Sequence, residues 1–327
     1  MFINKKDTTK RNKRFERLCI TSQTDLKKNL VKELSVTERK VVEEDGYIYC
    51  EGILPIILCA HMDTVHKELP TEIVYEDGKI SSPQGIGGDD RCGIYMIMEI
   101  IKKYPCHVIF FEDEEVGGVG SDKFAMSDTC KNLKGKINYA IELDRMNAND
   151  AVFYDCDNPD FTDFITKEFW KENYGSFTDI CHICPELEIA GVNLSCGYYK
   201  QHTTSEYVVL KEMEIAIKEV KKLIARTTEN DRFEWIEAKR NYYGNYFNLS
   251  RYFKNDDDDD DYYYSTKCKK QSNVRCYYIC FKSEKGEDIY DIEACSEAEA
   301  LGWFMMDNPD KTYNDVLDVD YEECCYY

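Results

Sequence analysis

Five short segments of this 327-residue chain carry histidine or carboxylate side chains, the groups that bind metal ions and transfer protons. In chain order they are His61–Val65, Gly85–Gly93, Phe110–Gly118, Glu142–Arg145 and Asn193–Glu206. Histidine is scarce, with five copies in all, and two of the five lie inside these segments. Taken alone, each segment has an ordinary structural explanation, and Gly85–Gly93 is better explained as a glycine loop with an N-capping aspartate.

Two of the segments carry a specific chemical pattern directly after an apolar run. In the first, His61 precedes Asp63 by two residues, so that one ring nitrogen could bind a metal while the aspartate holds the other. In the third, four consecutive acids occupy positions 112–115. Concentrating like charge at a strand end is costly unless a cation compensates it. Adjacent carboxylates could then divide metal binding and proton transfer between them.

Taken together, four strand ends and one loop deliver His, Asp, Glu, Asp and His in that order. Two histidines and three carboxylates, one of them bridging, suit a pair of zinc ions. Two such ions can polarise a carbonyl group and activate water, and a free carboxylate beside them can act as general base. The pattern therefore predicts a hydrolytic dinuclear metal site.

These motifs resemble those of the co-catalytic di-zinc exopeptidases, a superfamily that includes peptidase T, succinyl-diaminopimelate desuccinylase and the leucyl and glutamyl aminopeptidases. The resemblance covers about residues 20–228 and rests on all five segments in order. It implies two divalent metal ions, most readily zinc. The ligands that it implies are His61, Asp89, Glu115, Asp144 and His202.

The resemblance also assigns roles around those ligands. It implies that Glu114 is the catalytic base, that Asp63 orients His61, and that Asp89 bridges the two ions. Asp90 is the alternative bridging residue, because the two aspartates are adjacent and the register could slip by one.

The chain resembles the compact branch of the superfamily. Only about 60 residues separate Asp144 from His202, which leaves room for one helix and two strands but not for a lid domain. A lid-borne histidine that stabilises the oxyanion in some relatives is therefore missing. Tyr198 or Tyr199, close to His202, could supply that hydrogen bond instead.

Composition excludes several other classes of protein. With 63 acidic and 42 basic residues the formal net charge is −21, which repels phosphate backbones and argues against nucleic-acid binding. The longest apolar runs are far shorter than a membrane-spanning helix, and no signal peptide is recognisable. Most of the sixteen cysteines lie in apolar runs, which favours a reducing, cytoplasmic location. Cys181 and Cys184 could form half of a zinc site, but a buried strand or turn is the preferred interpretation.

Before residue 229 the hydrophobic pattern alternates between strands and helices. Continuous apolar runs predict buried strands over 54–60, 107–111, 139–143 and 192–196. Helical spacing predicts helices over 90–104, 161–174 and 206–226. This alternation predicts an α/β fold, a three-layer sandwich around a mixed, mostly parallel central sheet.

The chain is expected to have three parts: a catalytic domain over 1–228, an acidic low-complexity linker over 229–272, and a small α+β module over 273–327. The last 99 residues carry −12 of the net charge, and Asp256–Asp261 form an unbroken acidic run. Such a run is usually solvated linker, with an acidic docking or metal-sequestering tract as the alternative. The module reads as ββαβ, with strands over 274–282, 288–294 and 313–319 and a helix from Ser296 towards Met306. It could dock a protein partner or serve as a solubilising appendage.

The preferred function is a zinc-dependent exopeptidase, an aminopeptidase or dipeptidase, acting on a small peptide or aminoacyl substrate. An N-deacylase or amidohydrolase built on the same site is the first alternative, because substrate pockets lie in loops that these motifs do not determine. A catalytically inactive binding protein on the same fold is the second. The sequence leaves the oligomeric state and the substrate open.

Overall fold

The computed structural model describes residues 5–228, 230–238, 275–283, 286–294, 300, 304 and 316–323. The chain forms two compact units, residues 1–239 and residues 240–327. Residues 230–238, the start of the predicted linker over 229–272, are part of the first unit, and the ring of Phe233 contacts those of Tyr139 and Phe161. The rest of that linker, with the acidic run Asp256–Asp261, lies outside the described residues.

The first unit contains an ordered succession of helices and strands. Its helices are α1 Lys5–Cys19, α2 Gln23–Ser35, α3 Gly88–Ile100, α4 Val119–Met126, α5 Asp128–Leu133, α6 Pro159–Thr166, α7 Ile180–Leu187 and α8 Leu210–Arg226. Its strands are β1 Val41–Glu44, β2 Tyr47–Cys50, β3 Leu54–His61, β4 Val74–Glu76, β5 Lys79–Ser81, β6 Cys106–Phe111, β7 Tyr139–Arg145, β8 Asp150–Val152, β9 Lys171–Asn173, β10 Gly191–Ser195, β11 Tyr198–Tyr199 and β12 Tyr207–Val209.

The central sheet of the first unit has eight strands in the order β1-β2-β6-β3-β7-β10-β8-β9. Its four middle strands, β6, β3, β7 and β10, run parallel to one another. β2 and β8 join this parallel core in antiparallel fashion. The carboxyl ends of the four parallel strands therefore meet at one edge, which is where ligands bind in open α/β sheets.

Both faces of the sheet are covered by helices. Alternate residues of β3 point to opposite faces, so that Ile56 and Leu58 join one apolar cluster while Ile57 and Cys59 join another. The first cluster contains residues of α1, α2, α3, α6 and α8, and the second contains residues of α4, α5 and α7. This confirms the predicted three-layer sandwich with a mixed, mostly parallel sheet.

A second, four-stranded sheet in the order β11-β12-β5-β4 lies in the same unit. β12 pairs antiparallel with β5, with Val208 opposite Ile80. The loop between β11 and β12 carries His202, and the loop between β5 and α3 carries the glycine run of the second segment. This small sheet therefore brings two chemically important loops together.

Three of the local predictions are wrong in their details. The helix predicted over 161–174 ends at Thr166, because Lys171–Asn173 instead pair as strand β9 with β8. The helix predicted from residue 206 begins at Leu210, because Tyr207–Val209 pair as β12. Cys181 and Cys184 lie on helix α7 and not on a strand or turn. In the first two cases the pairing of a short segment with a neighbouring strand overrode its local pattern.

The connection between Asp144 and His202 contains more elements than the predicted helix and two strands. It holds helices α6 and α7 and strands β8, β9, β10 and β11. All of these belong to the first unit, and three of the strands are part of the central sheet. The connection therefore forms no separate lid domain, as the compact architecture requires.

The second unit contains a three-stranded antiparallel sheet in the order β14-β13-β15. Its strands are β13 Arg275–Ser283, β14 Gly286–Ala294 and β15 Val316–Glu323. Ala300 and Phe304 are helical and buried, and they form its core with residues that include Ile279 and Phe281. The rest of the predicted helix from Ser296 lies outside the described residues.

No disulfide joins the cysteines of the described ranges, and most of those cysteines are buried. Among the described residues, no helix combines the length and the apolarity needed to cross a membrane.

Gly93 permits the close packing of α3 on β7. A Cβ atom at this position would lie 1.8 Å from the Leu143 carbonyl oxygen and 2.6 Å from the Asp90 carboxylate. We expect Gly93→Ala to lower the free energy of unfolding by about 3 kcal/mol, because α3 must shift outward. Urea unfolding of the metal-free protein measures this effect.

Gly135→Ala is the matched control for this prediction. Gly135 has φ +78° with open space around it, so its substitution tests backbone strain without a steric clash. It is expected to cost about 1 kcal/mol. Equal losses for the two variants would contradict the packing argument.

Candidate metal centre

The residues of the five segments converge at the carboxyl edge of the central sheet. His61 ends β3, and Glu114 and Glu115 follow β6. Asp144 lies near the end of β7. The other members come from outside the parallel strands: Asp89 from the first turn of α3 and His202 from the loop after β11. His202 adopts φ +63° there.

Asp63 orders both the first histidine and the acidic pair. Its Oδ1 lies 3.1 Å from Nδ1 of His61, which leaves Nε2 of that ring facing the other carboxylates. The same carboxylate accepts hydrogen bonds from the backbone amides of Glu114 at 3.1 Å and Glu115 at 3.0 Å. Burial opposes ionisation of Asp63, but His61 and the two amides outweigh it and lower its pKa.

Asp89 lies between the two histidines. Its Oδ1 is 3.0 Å from Nε2 of His61, and its Oδ2 is 3.3 Å from Nε2 of His202. Glu115 approaches the same His202 nitrogen at 3.1 Å through Oε2. The peptide bond between Asp89 and Asp90 is cis. Because one oxygen of the Asp89 carboxylate faces each histidine, this carboxylate can contact two metal ions at once.

Asp90, the adjacent residue, faces the backbone. Its Oδ1 accepts a hydrogen bond from the amide of Gly93 at 2.8 Å, and its Oδ2 accepts one from the amide of His61 at 3.3 Å. Its two carboxylate oxygens are thus engaged in holding the start of α3 against the end of β3.

Asp144 is held on several sides. Its Oδ1 lies 3.4 Å from Nε2 of His61 and accepts the hydroxyl of Tyr198 at 3.2 Å. Its Oδ2 accepts the hydroxyl of Thr178 at 3.1 Å, and its backbone amide donates to Asn193 Oδ1 at 3.0 Å. This arrangement aims the carboxylate at His61.

The structure separates the two tyrosines. Tyr198 is buried with its hydroxyl at Asp144. Tyr199 instead donates its hydroxyl to Glu212 Oε2 at 2.6 Å and stacks on Tyr207 with 5.2 Å between ring centroids. The structure therefore brings Tyr198 to the cluster and leaves Tyr199 outside it.

Acidic groups dominate the cluster. Burial, followed by the neighbouring Asp89 charge, raises the pKa of Asp144 to about 7, and burial raises the pKa of Glu114 well above its usual range. Burial works against the charged form of His202, but hydrogen bonds to Asp89 and Glu115 outweigh it and raise its pKa to about 11. The buried negative charge calls for cations to balance it.

The donor atoms fit a divalent metal. Three overlapping groups place their ligand atoms within 4.8 Å of one another: His61 with Asp90 and Asp144, His61 with Glu114 and Glu115, and Asp89 with Glu115 and His202. All donors are imidazole nitrogens or carboxylate oxygens, which zinc accepts. Oε1 of Glu115 is buried without a hydrogen-bond partner, and a cation would supply the missing interaction.

Cys181 and Cys184 belong to none of these candidate groups. Cys184 is fully buried in the apolar cluster on the face of the sheet that α4, α5 and α7 cover. Burial raises the pKa of both thiols above their usual range. Such thiols are poor metal ligands, because the ligand form is the thiolate.

Three buried polar residues near the cluster, Glu142, Asp179 and Arg91, were given no role from the sequence. Glu142 and Asp179 are fully buried beside Asp144, and both Asp179 oxygens lack a hydrogen-bond partner. Arg91 is buried and donates to the carbonyl oxygens of Met62 and Thr21, and its charge lies near Asp63. Glu142 and Arg91 lie inside recognised segments, so their position was a usable signal.

Comparison with known proteins agrees with this architecture. Residues 53–180 match the model of peptidase family M28, a stretch that contains all of the candidate residues up to Asp144 but not His202. Among curated protein sequences, no significant relative of the chain is found.

Three solved structures share the fold at low sequence identity. Aminopeptidase PepT from Bacillus cereus is 15% identical, with a TM-score of 0.55 over 65% of this chain and 97% of that one. An aminopeptidase from Desulfurococcus kamchatkensis is 14% identical, with a TM-score of 0.52 over 67% and 96%. The TET1 peptidase of Pyrococcus horikoshii is 15% identical, with a TM-score of 0.50 over 66% and 98%.

The chain shares the fold of these peptidases over about two thirds of its length. The family match over residues 53–180 and this shared fold together support a metallopeptidase. The first unit carries its candidate metal ligands at the edge of the sheet where the four parallel strands end. The resemblance to the co-catalytic zinc exopeptidases is confirmed at the level of the fold.

Proposed function

We propose that the chain is a zinc-dependent aminopeptidase or dipeptidase that hydrolyses a peptide bond next to a free terminus. The observation that carries this proposal is the position of the Asp89 carboxylate between the Nε2 atoms of His61 and His202, with Glu115 beside the second histidine. Two adjacent ligand groups that share one carboxylate are the arrangement a pair of metal ions requires.

The proposed ligands divide into two sets that share Asp89. His61 and Asp144 would hold one zinc ion, and Glu115 and His202 would hold the other. When bound, such ions supply Lewis-acid polarisation of the scissile carbonyl and lower the pKa of water. Asp63 fixes the ring of His61 through Nδ1, so that Nε2 stays available as the donor.

Glu114 is the proposed general base. The Asp63 carboxylate accepts the backbone amide of Glu114 and so fixes its position. Burial raises the pKa of Glu114, which favours the protonated form that this side chain adopts after it takes a proton from water. In the proposed reaction Glu114 accepts a proton from the attacking water and returns it to the nitrogen of the leaving amine. One carboxylate can perform both transfers, because giving the proton to the leaving amine returns Glu114 to its unprotonated form.

Tyr198 serves in this proposal as the hydrogen-bond donor beside the reacting carbonyl. Its buried hydroxyl already lies at Asp144, 3.2 Å from Oδ1. Tyr199 is left out of the proposal, because its hydroxyl lies outside the cluster, at Glu212. Oxyanion donors of this kind typically contribute about 100-fold or more to turnover.

The proposal predicts a preference for substrates with a free α-amino group. Against matched pairs of aminoacyl amides and their N-acetylated forms, we expect the free amine to have a kcat/KM at least about 100-fold higher, because acylation removes the positive charge that the carboxylates of the cluster attract. Zinc-loaded full-length protein and a fluorogenic panel measure this ratio. A preference for the acetylated member would instead favour an N-deacylase.

A further inference from the structure

Outside the proposed ligands, Glu206 and His66 form a buried pair beneath the glycine loop. Glu206 is fully buried, and its Oε2 lies 2.9 Å from Nε2 of His66. The same oxygen accepts the amide of Gly87 at 2.8 Å, and Oε1 accepts the amide of Asp89 at 2.9 Å. One carboxylate therefore holds three donors, one of which is the backbone of the proposed bridging residue.

This carboxylate joins three segments that supply proposed ligands. Glu206 follows His202 by four residues and directly precedes β12. His66 follows His61 in the loop after β3, and Asp89 belongs to the first turn of α3. Glu206 thus links the loop that carries His202 to the backbone of Asp89.

The backbone of the glycine run lies very close to the side chains of His66 and Glu206. A Cβ atom at Gly85, where φ is +88°, would lie 2.1 Å from Cε1 of His66. At Gly88 a Cβ would lie 3.1 Å from Oε1 of Glu206 and 2.7 Å from Cγ2 of Val208. The loop can approach this closely only without side chains at these two positions.

We propose that Glu206, oriented by His66, is a positioning residue that sets the distance between the Asp89 carboxylate and His202. The inference rests on the proposed function, because it assigns the pair to the metal group of Asp89, Glu115 and His202. A group that orients a metal ligand without touching the metal typically changes metal affinity or activity by about 10- to 100-fold when it is replaced.

A carboxylate is the side chain that this position requires. It offers only acceptors to the amides of Gly87 and Asp89 and to the ring of His66. Glutamine has the same shape, but its NH₂ group would face at least one of these donors. The loop that carries Asp89 would then move away to relieve the unfavourable contact.

The test measures zinc binding by the full chain. Zinc stoichiometry and affinity are determined by chelator competition for wild type, Glu206→Gln, His66→Ala, His66→Gln and Glu99→Gln. Glu99→Gln is the matched control, because Glu99 is a largely buried carboxylate near the other end of α3 that pairs with Arg14. The d–d absorption of the Co²⁺-loaded proteins reports the ligand geometry, which a purely structural role would not change.

We expect Glu206→Gln and His66→Ala to weaken at least one of the two zinc affinities by about 10- to 100-fold and to shift the Co²⁺ spectrum. His66→Gln, which can still donate to Glu206, should lie between His66→Ala and wild type, and Glu99→Gln should match wild type. Zinc affinities and spectra unchanged in Glu206→Gln would overturn the inference while leaving the proposed function standing.

Two further results also decide the matter. If Glu206→Gln does not fold, His66→Ala becomes the deciding variant, and wild-type zinc affinities in it would overturn the inference. If the wild-type protein binds no zinc, the proposed function and the inference fail together. Failure of the inference alone is therefore distinguishable from failure of the function on which it rests.

Discussion

Glu114→Gln is expected to lower the turnover of aminoacyl amides by at least about 100-fold and to leave the zinc content unchanged. Glutamine keeps the shape of the side chain and the backbone hydrogen bond from residue 114 to Asp63, but it cannot accept and return a proton. Steady-state kinetics with a fluorogenic aminoacyl substrate measure kcat, and elemental analysis of the same sample measures zinc.

Asp113→Asn provides the matched control for this prediction. Asp113 belongs to the same acidic run, but its carboxylate accepts a hydrogen bond from Gln23 at 3.3 Å and belongs to none of the candidate metal groups. Its backbone has φ +61°, a conformation that asparagine also adopts readily. We expect wild-type kcat in this variant. Undiminished turnover in Glu114→Gln with zinc retained would remove Glu114 as the base.

Glu115→Gln separates the two neighbouring roles. Glu115 lies 3.1 Å from His202, and its second oxygen is buried without a partner, as expected of a ligand rather than a base. Its substitution should therefore lower zinc affinity, and added zinc should restore part of the turnover. Zinc addition should not restore Glu114→Gln. If added zinc restored turnover in Glu114→Gln but not in Glu115→Gln, the two roles would be reversed.

Much of the site could be predicted because its residues follow strands with unmistakable patterns. β3, β6 and β7 are buried on both faces and read as continuous apolar runs, so their ends are visible in the sequence. Since parallel strands end at one edge, His61, Glu114 and Asp144 had to lie close together. His202 was harder to place, because it lies in a loop of the small second sheet.

The remaining features depend on contacts that local sequence does not contain. Tyr198 and Tyr199 are neighbours on a strand and point to opposite faces, so that only one of them can reach Asp144. The sequence offers no means of choosing between them. Glu206 likewise looks like a polar residue near a helix start, and its buried contact with Asp89 depends on the pairing of β12 with β5.

The choice between Asp89 and Asp90 as the bridging ligand leads to the second large prediction. Asp89→Asn is expected to reduce zinc stoichiometry from two towards zero and to abolish turnover, because each of its oxygens faces a different histidine nitrogen, at 3.0 and 3.3 Å. An amide is a much weaker ligand than a carboxylate, and one of its two ends cannot bind a cation at all. Zinc titration with chelator competition measures both affinities.

Asp90→Asn is the matched variant, one residue away and equally conservative. The oxygens of Asp90 accept backbone hydrogen bonds from Gly93 and His61, so the substitution removes one of these bonds and lowers the free energy of unfolding by about 1–3 kcal/mol. Two zinc ions should still bind, because His61, Asp89 and Asp144 remain in place. Asp90 does lie within ligand distance of His61 and Asp144. If Asp90→Asn loses both ions and Asp89→Asn keeps them, Asp90 is the bridging ligand. The assignment of the bridge to Asp89 from the sequence would then be wrong by one residue.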